Sequence, residues 1–481
     1  MRAKHCSTAR PDHVGVKRTF DTMPPSDSNC TYRWLNRYAD LLPVHLSHPE
    51  RYPFLLESVA RGTDNARYDF LFAFPQGSLA LWPEGGLRSD VFRTCGQDFL
   101  HNLDLWWNEH RNWQPLPSEL PFCGGWFVYF GYELAAQIEP VLSLPCSEEG
   151  LPIAAAYRMP AAIIRDHQLR RTTVVAELKA RELVPIMEED LLQAPELERQ
   201  RGDILQAAIR EEPEQLFLSR LAEIQAYILE GDVFQVNLSR RWQGLLRPDL
   251  SHGVLYDRLR QFNPAPFAAL ANFGDAAILS SSPERLARVR GGVIETRPIA
   301  GTHPRSRNDR ADRILSRALL ANPKERSEHT MLIDLERNDL GRVCQVGSVT
   351  VPEFMILESY PHVHHIVSTV CGRLRREVTP GDVVRAIFPG GTITGCPKIR
   401  CMQIIAALEA APRGPYTGAM GYLGWDGSMD FNILIRTLIR REEQIWLRTG
   451  AGIVADSVPE LELRETRHKA EAALRALTKG M

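Results

Sequence analysis

The second half of the chain switches repeatedly between two hydrophobic periods, and this alternation limits what it can fold into. AAILSSS (276–282), VGSVTVP (346–352), HHIVSTVCG (364–372) and QIWLRTGAGIV (444–454) are rich in branched and aromatic residues, as strands are. PEQLFLSRLAEIQAYILEGD (213–232), CMQIIAALEA (401–410) and LRETRHKAEAALRAL (463–477) instead repeat their apolar residues every three or four positions, as amphipathic helices do. Strands and helices mixed along one chain predict an α/β protein. Upstream, from Tyr32 to about Leu183, strand-like stretches such as FLFAF (70–74) and WFVYFGYEL (126–134) are separated by loops of Pro, Gly and Ser. The charged, helix-favouring stretch 179–214 reads as a connection. Residues 1–30 are polar and aperiodic, so they read as a flexible tail that buries little. The expected organisation is a tail at 1–30, an N-terminal region at 31–195 and a second region at 210–478, with no internal repeat.

Composition removes several classes of function. A net charge of -2 gives no footing for nucleic acid, and no apolar run reaches the about 18 to 20 residues of a membrane span. No charged-then-apolar start marks a secretory signal, so a cytoplasmic location is expected. The 9 cysteines are odd in number and form no CxxC pair, which suits a reducing compartment; Cys396 and Cys401 read as packing residues.

RAIFPGGTITGCPK, at 385–398, places three glycines, two threonines and a Pro-Lys step between two periodic segments. Glycine permits close backbone approach, and amides entering a helix after Pro397 offer a partner to a small anion. GGxxxG is a weak pattern by itself and matches neither the P-loop nor the dinucleotide fingerprint. Its neighbours are more specific: SSPERL, RPIAGT and LIDLERNDLGRV lie upstream, and GAMGYLGWDGSMDFNILIRTL, RTGAGIVADS and ELELRETRHK lie downstream.

In this order, over residues 210–478, these motifs resemble the chorismate-binding enzymes. That family includes anthranilate synthase component I, aminodeoxychorismate synthase component I, isochorismate synthase and salicylate synthase. The resemblance implies two large, mostly antiparallel sheets packed as a sandwich and flanked by helices, an α/β fold like that of anthranilate synthase component I. The active site is expected in the C-terminal part.

Glu325 with Glu328, and Glu462 with Glu465, are pairs three residues apart, so each pair shares one face if its segment is helical. Such pairs are commonly solvated charge. The resemblance makes Glu328 and Glu465 ligands of Mg²⁺, with Glu325 and Glu462 in neighbouring positions, and the ion would neutralise the ring carboxylate of chorismate. It also places Tyr416, Arg436, Gly450, Gly452 and Lys469 at the enolpyruvyl carboxylate. Arg436, in ILIRTL, is expected in an apolar strand, where a guanidinium is costly to bury unless paired.

In PHVHHIVSTV, strand alternation puts His362 and His364 on one face and His365 on the other. No cysteine or carboxylate lies at ligand spacing, and the resemblance places His365 beside the departing hydroxyl. Glu284, after Pro283, could open a helix; the resemblance makes it the general acid, with Thr392 of the glycine turn also catalytic. Gln235, in GDVFQVNLSRR, stands where members that activate water carry a lysine. Isochorismate and salicylate synthases are therefore disfavoured, and ammonia is the expected nucleophile.

Two aminations remain. Placing nitrogen on C4 gives 4-amino-4-deoxychorismate, on the way to 4-aminobenzoate and folate; placing it on C2 and eliminating pyruvate gives anthranilate, on the way to tryptophan. Ala300 in RPIAGT lacks the lysine that many C4-aminating members use covalently, and Lys398 sits in a segment shared with members that form no adduct. Thr394, GSMDFNILIRT and ARYDFLFAF depart from the anthranilate synthase pattern. The expectation is aminodeoxychorismate synthase component I, with anthranilate synthase component I as the alternative. A separate glutamine amidotransferase subunit is the implied partner, because the chain has no GxCxG-like nucleophile elbow. PFLLES, at 53–58, resembles a segment lining a tryptophan site, and reads equally well as packing. A catalytically silent relative that binds a partner or metabolite would show damage to the acidic pairs, Arg436 or Glu284, and none is present.

Overall fold

The computed structural model describes residues 29–478 of the 481, apart from 36, 61–65, 85, 113–115, 118–119, 147–148, 198–201, 307 and 360–362. Among these residues, two antiparallel sheets, one of 12 strands and one of 11, form the fold. The tail expected over 1–30 lies outside the described residues up to 28, and Cys30 already opens a strand, Cys30–Leu35.

Both regions contribute strands to both sheets. In the larger sheet Phe54–Glu57 pairs with Phe267–Asn272, and in the smaller one Gly125–Phe130 pairs with Ala419–Gly424. Strand alternation explains how the sheets pack. Phe54, Phe70 and Phe72 of one sheet meet Phe127, Tyr129 and Tyr422 of the other in a shared apolar layer. The rings of Phe54 and Phe127 stack with centroids 3.9 Å apart. Intervening residues point outward: Leu55, Leu71 and Ile163 pack beneath helices including His252–Phe262 and Pro459–Thr478. Trp126 and Val128 pack beneath Phe99–His110 and Pro380–Ile387. These strands are buried on both faces, which is why FLFAF and WFVYF read as continuous apolar runs.

The stretch 179–214 is more than a connection. It holds the helix Leu183–Gln193, whose Val184, Met187 and Leu191 join the outer core.

Three helices bring chemistry to one end of the sandwich. Pro323–Gly341 starts at Asn322, whose side chain accepts from the Lys324 amide at 3.0 Å, with Pro323 at the first helical position. Lys398–Glu409 follows Pro397, so the glycine turn does lead into a helix. Pro459–Thr478 carries the last acidic pair.

Phe127→Ala removes one ring of the inter-sheet stack and is expected to cost about 3–5 kcal/mol. Urea unfolding monitored by tryptophan fluorescence measures it, and a loss under about 1 kcal/mol would show that the layer collapses to fill the space.

Candidate active site

Among the places where the chain crosses between sheets, two are adjacent and each carries a charged side chain. After Ala276–Ser282 of the larger sheet, Pro283 and Glu284 lead into Arg285–Arg290 of the smaller one. After Met429–Ile433 of the smaller sheet, residues 434–436 lead into Thr437–Arg441 of the larger one. Hydrogen bonds tie the crossings together: Ile433 N–H donates to Glu284 O at 3.0 Å, Ser281 N–H donates to Arg436 O at 3.2 Å, and the Ser282 hydroxyl donates to Ile433 O at 2.5 Å.

Two sequence expectations change here. Glu284 lies between strands, with no helix at Pro283. Arg436 is not within a strand: it sits at the crossing with φ 52°, because the backbone must turn sharply to leave one sheet for the other. Among the described residues no carboxylate lies within ion-pair distance of its half-buried guanidinium. Burial lowers the Arg436 pKa, and the charge of Glu284 works the other way.

Glu284 is buried, and burial pushes its pKa up to about 7. The hydrogen bond from Thr392 Oγ1, at 2.8 Å, and the charges of Lys469 and Arg436 oppose that rise. This is a carboxyl able to hold and release a proton near neutrality. His365 is buried nearby, where desolvation first and the Arg436 charge second hold it down at about 4, as a neutral ring. Its Nδ1 donates to Gly301 O at 3.3 Å. His364 lies on the opposite face, bonded to Ser359 and Asp312, and His362 falls outside the described residues.

Gln235 opens the strand Gln235–Leu245, which pairs with Gln444–Ile453 so that Gly452 stands opposite Asn237 and Gly450 opposite Ser239. Gln235 Nε2 donates to Glu328 Oε1 at 2.7 Å, while Gln235 Oε1 is buried without a partner among the described residues. A Cβ on Gly452 would collide with that amide, and one on Gly450 would lie 2.7 Å from the Tyr416 hydroxyl. Both glycines therefore clear space. Lys469 Nζ donates to Gly450 O at 2.9 Å and pairs with Glu465 at 2.7 Å.

The four expected metal carboxylates lie on two helices, and electrostatics relates them. Burial raises the pKa of Glu328, to which the charges of Glu325 and Glu465 add. Burial also raises that of Glu462, which further feels Glu465. Among the described residues no three His, Cys, Asp or Glu side chains converge to hold an ion alone. A site of two facing carboxylates completed by water and a substrate oxygen suits Mg²⁺, which keeps several waters. The residues present fit that ion.

The sequence reading missed Glu336. It continues the stripe of Glu325 and Glu328 along the helix Pro323–Gly341, and the spacing 325, 328, 332, 336, 339 could have revealed it. Burial, then the charge of Asp339, pushes its pKa up to about 8, and the charge of Glu284 adds to the rise. Lys398 is held by Asp339 at 2.5 Å. Ala300, on Ile299–Pro304, is buried opposite Ile366. Cys401 is buried in an apolar cluster, and Cys396 is half-buried.

PFLLES contributes elsewhere. Leu56, Glu57 and Ser58 line a cavity of about 250 Å³ with Tyr68, Phe70 and Tyr422, sharing no residue with the cluster above.

Glu284, the neutral ring of His365 and the Arg436 guanidinium, which has no ion-pair partner among the described residues, act on one another electrostatically at the crossings. The model of the chorismate binding enzymes matches residues 73–475, and this chain belongs to that family. It is 40% identical over 366 residues to an anthranilate synthase component I-like protein of Synechocystis, covering 75% of this chain and 74% of that one. It is 41% identical over 447 residues to anthranilate synthase component 1 of Pseudomonas aeruginosa, covering 88% and 90%. With aminodeoxychorismate synthase component 1 of Bacillus subtilis it shares 48% over 261 residues, 54% of this chain and 55% of that one. The solved anthranilate synthase component I of Streptococcus pneumoniae superposes with a TM-score of 0.76 at 31% identity, over 87% of this chain and 94% of that one. No helix among the described residues is long and apolar enough to cross a membrane.

Glu284 also makes stability depend on pH. An unfolded glutamate titrates near 4.3, and the folded one near 7, so the fold holds the proton more tightly. The stability this confers is complete below about pH 4 and is lost as pH rises toward 7. Glu284→Gln should flatten the urea midpoint between pH 5 and 7 relative to wild type, and an unchanged slope would contradict the assignment.

Proposed function

We propose that this chain aminates chorismate at C4, giving 4-amino-4-deoxychorismate, as aminodeoxychorismate synthase component I does, with ammonia supplied by a separate glutamine amidotransferase subunit. The observation that carries amination is Gln235. A neutral amide, donating to Glu328, occupies the place where a water-activating member has a lysine base, and an amide cannot deprotonate water. Ammonia needs no such base.

The chemistry of the residues follows from their placement. Arg436, Lys469 and Tyr416, with the space left by Gly450 and Gly452, receive the enolpyruvyl carboxylate. Glu284, protonated below about pH 7, gives its proton to the C4 hydroxyl as the C–O bond breaks and nitrogen bonds to C4, so that water leaves. Thr392 orients the carboxyl, and the neutral His365 lies beside the departing hydroxyl without competing for its proton. Glu328 and Glu465, with Glu325 and Glu462 adjacent, would hold Mg²⁺, which when bound supplies positive charge against the ring carboxylate. The methyl of Ala300 cannot attack carbon, so ammonia attacks directly and no covalent enzyme adduct forms.

Thr394 and Asn432 support C4 over C2, since both depart from the anthranilate synthase pattern. Thr394 Oγ1 donates to Gly390 O at 2.9 Å and sets the turn that carries Thr392. Asn432 accepts from Met420 N at 3.1 Å and donates to Phe267 O at 3.0 Å. The second reading is anthranilate formation, favoured by Ala300 and by the names of several relatives. The cavity beside Leu56, where Tyr68, Phe70 and Tyr422 offer rings, supports tryptophan binding at PFLLES, with packing alone as the alternative.

Incubation with chorismate, Mg²⁺ and ammonium at alkaline pH decides between the readings. The expected outcome is no anthranilate fluorescence, 4-aminobenzoate only after a lyase is added, and an unmodified intact mass in the presence of chorismate. Anthranilate as the main product would defeat the C4 assignment, an adduct on any lysine would defeat direct attack, and no product would favour a binding module. A rate unchanged by tryptophan in this assay would favour packing alone at PFLLES.

Glu328→Ala and Glu465→Ala should each abolish Mg²⁺-dependent turnover while leaving circular dichroism unchanged, since each removes one of few anionic ligands. Activity retained at saturating Mg²⁺ would sink the metal assignment.

A further inference from the structure

Arg413 is among the largest fully buried side chains of the protein, yet it lies in a loop, between Lys398–Glu409 and Ala419–Gly424. A guanidinium is expensive to bury, and its five donors in one plane must all be placed. Here they reach three separate segments of the site. Nη2 donates to Asn237 O at 2.7 Å, two residues beyond Gln235. Nη1 donates to Ile393 O at 3.3 Å, the residue after Thr392, and to Thr417 Oγ1 at 3.3 Å, the residue after Tyr416. Its carbon Cζ lies 5.4 Å from the centre of the Tyr416 ring.

The charge is neutralised locally. Glu409 accepts from Arg413 at 2.7 and 3.0 Å, from the Ser239 amide and hydroxyl at 2.8 Å each, and from Arg448 at 3.3 Å. Arg448 in turn donates to Pro412 O at 2.7 Å, which fixes the loop that carries Arg413. With its donors occupied and its side chain sealed from solvent, Arg413 does not contact substrate.

We infer that Arg413 is a positioning residue that holds the Gln235 amide, the Thr392 hydroxyl and the Tyr416 phenol in one frame, through bonds to the backbone and side chains beside them. The inference rests on the proposed amination for its kinetic consequence only. A lysine would keep the charge, but its single ammonium cannot span the Asn237 and Ile393 carbonyls together with both Glu409 oxygens. An error in the Thr392 turn passes directly to the carboxyl of Glu284, and displacements on the order of 1 Å are costly to catalysis.

The test is a double-mutant cycle on Arg413→Lys and Thr392→Val, with chorismate and ammonium as substrates, alongside hydrogen–deuterium exchange of Arg413→Lys. Arg413→Lys should lower kcat about 10- to 100-fold while KM for chorismate changes about threefold or less. The double variant should lose clearly less than the two single losses combined, because the Thr392 hydroxyl is the part of the frame that the two variants share. Exchange should quicken at residues 391–394 and 416–418 while the ladder between Phe54–Glu57 and Phe267–Asn272 keeps its protection. Additive losses in kcat, or faster exchange throughout both sheets, would reduce Arg413 to a stability residue and overturn the inference. Unchanged exchange in the two segments would overturn it as well. If wild-type enzyme fails to aminate chorismate, the proposed function falls, and the exchange pattern still decides the role of Arg413.

Discussion

The apolar layer between the two sheets is the constraint on which the rest of the structure depends. Phe54, Phe72 and Phe127 fill it from opposite sides, and the residues alternating with them are buried again beneath helices. Strands sealed on both faces leave no room within the layers for a polar reaction. Glu284 and Arg436 sit instead at two places where backbone leaves one sheet and enters the other.

The crossings also set the electrostatics. At residues 283–284 and 434–436 the backbone is bonded across the gap, through Ile433 with Glu284 and Ser281 with Arg436, so the two side chains are fixed relative to one another. Burial raises the affinity of Glu284 for its proton and lowers that of Arg436 and His365, in each case because a low-dielectric site disfavours the charged form. A carboxyl able to hold its proton near neutrality and an imidazole that stays neutral below it suit the removal of a hydroxyl in the proposed reaction. The same desolvation costs stability, and Glu336 behind Glu284 adds a second buried carboxyl to that cost. Such an arrangement persists because the sandwich supplies enough apolar burial to offset it.

Much of the secondary structure was legible. The helices at Glu214–Leu229, Lys398–Glu409 and Pro459–Thr478 and the strands at Ala276–Ser282 and Gln444–Ile453 lie where periodicity put them, because long amphipathic segments carry a strong local signal. The strand placement of Arg436 failed because ILIRTL has strand composition on both sides of a crossing, and composition does not mark where a chain changes sheets. Glu336 was overlooked because a single glutamate in LIDLERNDLGRV resembles any solvated helix residue until burial is known.

The sequence by itself determined the residue types, the glycine turn, the two acidic pairs and the order of motifs over 210–478, and with them the family. Each is a local property, written in side chains and short spacings. Only the tertiary structure decided that Glu284 meets Thr392, that Gln235 meets Glu328, that Arg436 and Glu284 act on one another at the crossings, and that Arg413 ties three segments together. Those contacts join residues brought together by strand register and by the crossings between sheets. Register is a collective choice made by the whole buried layer, so no short stretch of sequence contains it.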